Sequence, residues 1–294
     1  MKRREFVKIG AAGCAALSLR GAARAAAPPA EKERARKMKL GLVTYNIASD
    51  WDLPTLIQRC ADNGYEAVEL RTTHAHGVEP DMAAARRKEV RQLFAESPVV
   101  LWGLGTACDF HSADQAAVRA NIELTKRFCE LGKDVGAKGV KVRPNGLPEG
   151  VPEEKTLEQI GRALRECGDA GRDNGVEIWL EVHGPKTQEP PRIRKIMEYC
   201  GHPNVGVCWN SNMADVKDGS VKEYFALLKP WIRSCHINEI ANEYPYRELF
   251  SLLRQSGYDR YTLQEAQPLA SKEPKDIERF LRYYRKLWEE LNRP

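Results

Sequence analysis

Asn174-Gly175-Val176-Glu177-Ile178-Trp179-Leu180-Glu181-Val182-His183-Gly184 joins a helix to a strand, and that strand to a polar mouth. The amphipathic run Pro152–Asn174 stops at Gly175, a residue type that closes helices in the left-handed conformation. Val176–Val182 then reads as a short buried strand. Side chains alternate faces along a strand, so Glu181 and His183 point the same way. A carboxylate and an imidazole at the end of an apolar strand are costly to bury alone. A metal ion or a transferring proton in front of them accounts for the pair.

The same helix-to-strand unit recurs along the chain. Strands are expected at 40–46, 67–71, 99–105, 139–143, 176–182, 205–209, 232–237 and 261–265. Helices are expected between and after them, at 53–63, 81–95, 113–135, 152–174, 192–200, 220–228, 246–255 and 275–291. Ser112 and Gln115 have the spacing of a capping box at the start of the third helix. Parallel strands joined by helical crossovers connect right-handedly, and eight such units close most naturally into an α/β (β/α)8 TIM barrel. No Gly-x-Gly-x-x-Gly follows a strand, which removes the main support for a dinucleotide fold.

The amino terminus reads differently. Met1-Lys2-Arg3-Arg4-Glu5-Phe6-Val7-Lys8 precedes an apolar run from Ile9 to about Leu19, then Ala25-Ala26-Ala27. This is the layout of a secretory leader, and the paired arginines resemble a twin-arginine export signal. Residues 1–27 are therefore expected to be a signal peptide, 28–38 a charged linker and 39–294 a single catalytic barrel in the periplasm or another extracytoplasmic space. The apolar run is too short for a membrane span, so no stable membrane insertion is expected. Residues 1–27 carry six of the 46 basic side chains and one of the 41 acidic ones, leaving 40 of each sign in the rest. A chain of zero net charge offers no global field to nucleic acid. Seven cysteines remain, without paired spacing, and read as buried apolar residues.

Barrel sites form at the carboxyl ends of the strands. Five of the six histidines fall there: His74, His76, His111, His183 and His236, with His202 at the other end. Glu181, Asn210, His236 and Glu265 come from four consecutive strands. Oxygen-rich ligands with one imidazole suit a divalent ion, Mn²⁺ foremost and Mg²⁺ or Co²⁺ next, with positions open to substrate oxygens. Such an ion polarises a carbonyl, and Glu181 and Glu265 can pass a proton to and from the adjacent carbon. His183, Arg143, Lys141, His76, Asn212 and Lys186 are candidate substrate contacts. Trp209 reads as packing, whereas Trp102 reads equally as packing or as a sugar-stacking surface.

Residues 39–290 resemble the xylose isomerase-like barrel superfamily, in its branch of sugar isomerases and epimerases. The resemblance rests on Trp179-Leu180-Glu181-Val182-His183-Gly184, Gly206-Val207-Cys208-Trp209-Asn210, Cys235-His236-Ile237-Asn238 and Leu263-Gln264-Glu265. It implies that Glu181, Asn210, His236 and Glu265 hold the metal and that Glu181 and Glu265 are the proton-transfer pair. The chain departs from the pattern at Asn210, where Asp is usual, at Met213, where His is frequent, and over Ile240–Glu243, which lacks an Asp-Arg pair. Metal-assisted isomerisation or epimerisation of an unphosphorylated sugar is expected, through an enediolate. The alternatives are a lyase or dehydratase using the same enolisation, a phosphodiesterase and a non-catalytic sugar-binding barrel. A homo-oligomer is compatible with the sequence.

Overall fold

The computed structural model describes residues 38–294. The expected leader at 1–27 and nearly all of the linker at 28–38 lie outside the described residues. From Lys39 the chain alternates β1 (Lys39–Val43), α1 (Leu53–Asn63), β2 (Ala67–Arg71), α2 (Ala84–Ala95), β3 (Val100–Asp109), α3 (Gln115–Val135), β4 (Gly139–Arg143) and α4 (Glu153–Asn174). It continues with β5 (Glu177–Glu181), α5 (Pro190–Cys200), β6 (Val205–Asn210), α6 (Lys222–Leu228), β7 (Ile232–Ile237), α7 (Tyr246–Gln255), β8 (Tyr261–Gln264) and α8 (Pro274–Leu291). All strands pair in parallel with their neighbours, and β1 pairs with β8, so the sheet closes into a (β/α)8 barrel.

Local chemistry sets the element boundaries. Gly64, Gly136, Gly175 and Gly201 end α1, α3, α4 and α5 with positive φ, which glycine adopts without steric cost. The expected Ser112–Gln115 capping box does not form. Asp114 is the N-cap and accepts from the Ala116 N–H, while the Ser112 hydroxyl accepts from the Asp114 N–H. β3 runs to Asp109, four residues past its expected end, with an irregular register against β4.

Two apolar layers result. The larger lies between sheet and helices and includes Leu42, Val68, Leu180 and Trp209. The smaller fills the barrel interior with Val43, Ala67, Trp102, Trp179, Cys208, Tyr261 and Leu263. Trp102 and Trp179 stack there at 5.1 Å, which settles Trp102 as packing. Trp209 packs against Phe225 and donates to the Tyr244 hydroxyl. A Cβ at Gly139 would lie 2.4 Å from the Trp179 ring, so the indole fits only against a bare backbone. All seven cysteines in the described residues are buried and free.

Candidate active site

Alternation carries polar side chains from the interior layer up to the carboxyl mouth. Trp179 fills the interior and Glu181, two residues on, stands above it; Cys208 stands below Asn210 in the same way. Together with Arg71, Lys141, Arg143, His183, Asn238 and Glu265 they line a cavity of about 360 Å³.

The centre of the site is His236, fully buried. Its Nδ1 lies 3.1 Å from Glu265 Oε2 and 3.5 Å from Glu181 Oε1. Its Nε2 lies 3.1 Å from Oε2 of Glu69, also fully buried. Burial opposes the imidazolium, but Cys208, Glu69 and Glu265 outweigh it and hold the ring above the usual histidine range. Glu69 was missed as a functional residue. Its signal is a carboxylate inside the apolar strand Ala67–Arg71, and its partner lies 167 residues away. Gly105 makes room for it, since a Cβ there would sit 2.7 Å from Glu69 Oε1.

Glu181 is held by donors. Lys141 Nζ lies 2.7 Å from Oε2, with both side chains buried. Asn210 Nδ2 donates to Oε1 at 3.1 Å. Burial opposes the carboxylate, but Lys141 and then His236 keep it well below the usual carboxylate range. Lys141 lines the cavity and is also the internal counter-ion to Glu181. The orientation of Asn210 follows from its neighbours. The Ser211 carbonyl accepts from Asn238 Nδ2 at 2.7 Å, and that same nitrogen donates to Asn210 Oδ1 at 2.9 Å. The atom Asn210 turns toward Glu181 is therefore its amide nitrogen, which cannot ligate a cation.

Glu181, His236 and Glu265 bring ligand atoms within 4.8 Å of one another, a set that can hold a metal ion. The donor chemistry fits: two carboxylates and an imidazole whose other nitrogen is fixed by a carboxylate, as in many metal sites.

The other expected contacts divide. His183 and Arg143 line the cavity. Burial lowers the His183 pKa, and its Nδ1 has no partner among the described residues. Asn212 also lines the cavity, but its side chain accepts from the Ala214 N–H and donates to the Asn210 and Val182 carbonyls, bracing the turn after β6. His76 does not reach the cavity. Its Nδ1 accepts from the Val78 N–H, so Nε2 carries the proton and donates to the Arg71 carbonyl at 2.8 Å. Lys186 is exposed and outside the lining. Tyr45, 45% exposed at the rim, and Arg71 join the site instead.

A profile of the family described as "Xylose isomerase-like TIM barrel" matches residues 57–287. The chain belongs to the xylose isomerase-like TIM barrel family. No curated protein matches it. Among solved structures it is similar to D-psicose 3-epimerase from Clostridium cellulolyticum H10, determined with D-tagatose, at TM-score 0.76 and 13% identity, covering 87% of this chain and 100% of that one. It is also similar to 3-keto-D-glucoside 4-epimerase from E. coli, at TM-score 0.71 and 14% identity over 85% and 100% of the two chains. A third similar structure is the IOLI protein with a bound zinc atom, at TM-score 0.69 and 18% identity over 86% and 96%. At these identities the likenesses bear on the fold. In this xylose isomerase-like chain, no helix among the described residues is long and apolar enough to cross a membrane.

Proposed function

We propose that this protein is a divalent-metal-dependent sugar isomerase or epimerase, acting on an unphosphorylated keto sugar or derivative by proton transfer next to a carbonyl. The observation that carries the reading is the convergence of Glu181 and Glu265, from strands three apart in the barrel, on one nitrogen of a buried histidine. Glu181, ionised at the cavity wall, is suited to accept the proton. Glu265, on the other side of His236 Nδ1, is suited to return one. Removal on one face and return on the other epimerises a carbon; return to the neighbouring carbon moves the carbonyl. Mn²⁺, Mg²⁺ or Co²⁺ held by Glu181, His236 and Glu265 would supply polarisation of the carbonyl and the neighbouring hydroxyl. Lys141 fixes Glu181 in place, His183 offers a neutral ring to sugar hydroxyls, and Tyr45 an aromatic wall.

The names of the similar structures, two sugar epimerases and one zinc-bound barrel, agree with this reading. The leader pattern in residues 1–27 supports export, which cell fractionation of the tagged full chain would test. The test of the chemistry is incubation of the Mn²⁺-supplied protein in D₂O with a panel of neutral and acidic keto sugars. Deuterium is expected at the carbon next to the carbonyl, and is expected to be lost in Glu181→Gln and Glu265→Gln. No incorporation across the panel would overturn the reading. A lyase using the same step would show itself as an unsaturated product.

A further inference from the structure

We propose that Arg71 and Arg143 form a carboxylate-binding subsite, so that the substrate is a keto-sugar acid. This rests on the enolising function above and names its substrate class. The two residues end β2 and β4 and line the same cavity as Glu181 and Glu265. Each guanidinium is oriented by a bond to a backbone carbonyl: Arg71 Nη1 to Thr72 and Arg143 Nη2 to Ala107, both at 3.1 Å. The backbone of Arg71 is fixed as well, its N–H donating to the Thr44 hydroxyl and its carbonyl accepting from His76.

What these arginines lack is an anion. Neither forms an ion pair among the described residues, and Arg143 Nε is buried without any partner. Glu181 and Glu265 favour the Arg71 charge only through space, since their own ion pairs are with Lys141 and His236. Burial, and after it the Arg143 charge, lower the Arg71 pKa, and they outweigh Glu181, Tyr45 and Glu265, which oppose the shift. Such a pair is stabilised by an anion that accepts from both, and a guanidinium fork matches a carboxylate in the plane.

The charge balance points the same way. The cavity lining holds three cations, Arg71, Lys141 and Arg143, against three carboxylates, Glu181, Glu239 and Glu265. A divalent ion held by Glu181, His236 and Glu265 would make the site net positive even with the buried Glu69 counted, which favours an anionic ligand. A phosphate is the poorer match. No glycine lines the cavity, whereas phosphate sites commonly cradle the group with successive backbone N–H groups.

The test is calorimetric titration of the Mn²⁺-supplied protein with a ketohexuronate, the neutral ketohexose of the same skeleton, and that ketose's 6-phosphate. The acid is expected to bind at least roughly tenfold more tightly than the ketose. That ratio is expected to fall to about threefold or less in Arg71→Gln and in Arg143→Gln. With the unmodified protein, raising sodium chloride from roughly 50 to 500 mM should weaken the acid and leave the ketose, a readout independent of how either variant folds. Equal binding of acid and ketose, a preference for the phosphate over the acid, or an acid preference that survives both substitutions would each overturn the proposal. Selective acid binding without deuterium exchange leaves the subsite and removes the enolising function. Exchange on neutral ketoses without acid preference does the reverse.

Discussion

Lys141 shows how one side chain sets the character of the centre. Its ammonium and the Glu181 carboxylate are both out of water, 2.7 Å apart. Removing one partner of a buried pair leaves the other uncompensated. Lys141→Met is therefore expected to lower unfolding free energy by about 3–5 kcal/mol in metal-free buffer. Mn²⁺ should raise the variant's denaturation midpoint more than the parent's, because the ion replaces the lost charge. Urea titrations with and without Mn²⁺ check both parts. Asn210 is the complementary case, since its nitrogen faces Glu181. Asn210→Asp supplies an oxygen and a charge, and Mn²⁺ affinity should rise at least about tenfold by competition with a chelating dye. His74 sets a pH dependence. Burial, with help from His76 and Arg71, lowers its pKa from 6.5 to about 4. The unfolded ring binds a proton through a range in which the folded ring refuses it, so stability held above pH 6.5 is lost as the pH falls toward 4. His74→Asn should narrow the gap between urea midpoints measured at pH 7 and pH 4.5.

At the scale of strands and helices, what was legible in the sequence was whatever depends on near neighbours. Gly64, Gly136, Gly175 and Gly201 mark helix ends because a left-handed residue is a local requirement. Alternation along Val176–Val182 put Glu181 at a mouth for the same reason, and Glu265 and His236 followed from their strand ends. The unread parts depend on distant partners. His76 shares a side of its loop with His74 in sequence, yet the carbonyl of Arg71 and the N–H of Val78 consume both of its nitrogens. Glu69 acquires meaning only when the His236 side chain, from β7, reaches it through the barrel interior. Lys141 could be placed at the mouth from its own strand, but nothing in that strand showed that β5 would supply its counter-ion. The fit of β3 against β2 yields an element-level prediction. Gly105→Ala would drive a methyl to 2.7 Å from Glu69 Oε1 and press that carboxylate off His236. Mn²⁺ affinity should fall about 10–100-fold, while the far-UV circular dichroism spectrum keeps its helical signal.

The whole barrel separates two tasks by end. Opposite the cavity, Arg260 grips Glu177 with two nitrogens at 2.7 and 3.0 Å and lies over the Trp102 ring. Barrels keep chemistry at the carboxyl mouth and stability at the other. Arg260→Met is expected to cost about 1–3 kcal/mol of stability, because it removes both guanidinium donors of a largely buried carboxylate and leaves it only the Trp179 indole N–H as a hydrogen-bond donor. Turnover measured well below the melting temperature should be unchanged. Between the ends lies the stacked pair Trp102 and Trp179, wedged over Gly139. These two indoles plug the barrel beneath the cavity, so the approach to Glu181 is from the carboxyl mouth. An ion resting against Glu181 would be locked in by the sugar above it, so a chelator added after substrate should strip it more slowly than one added before.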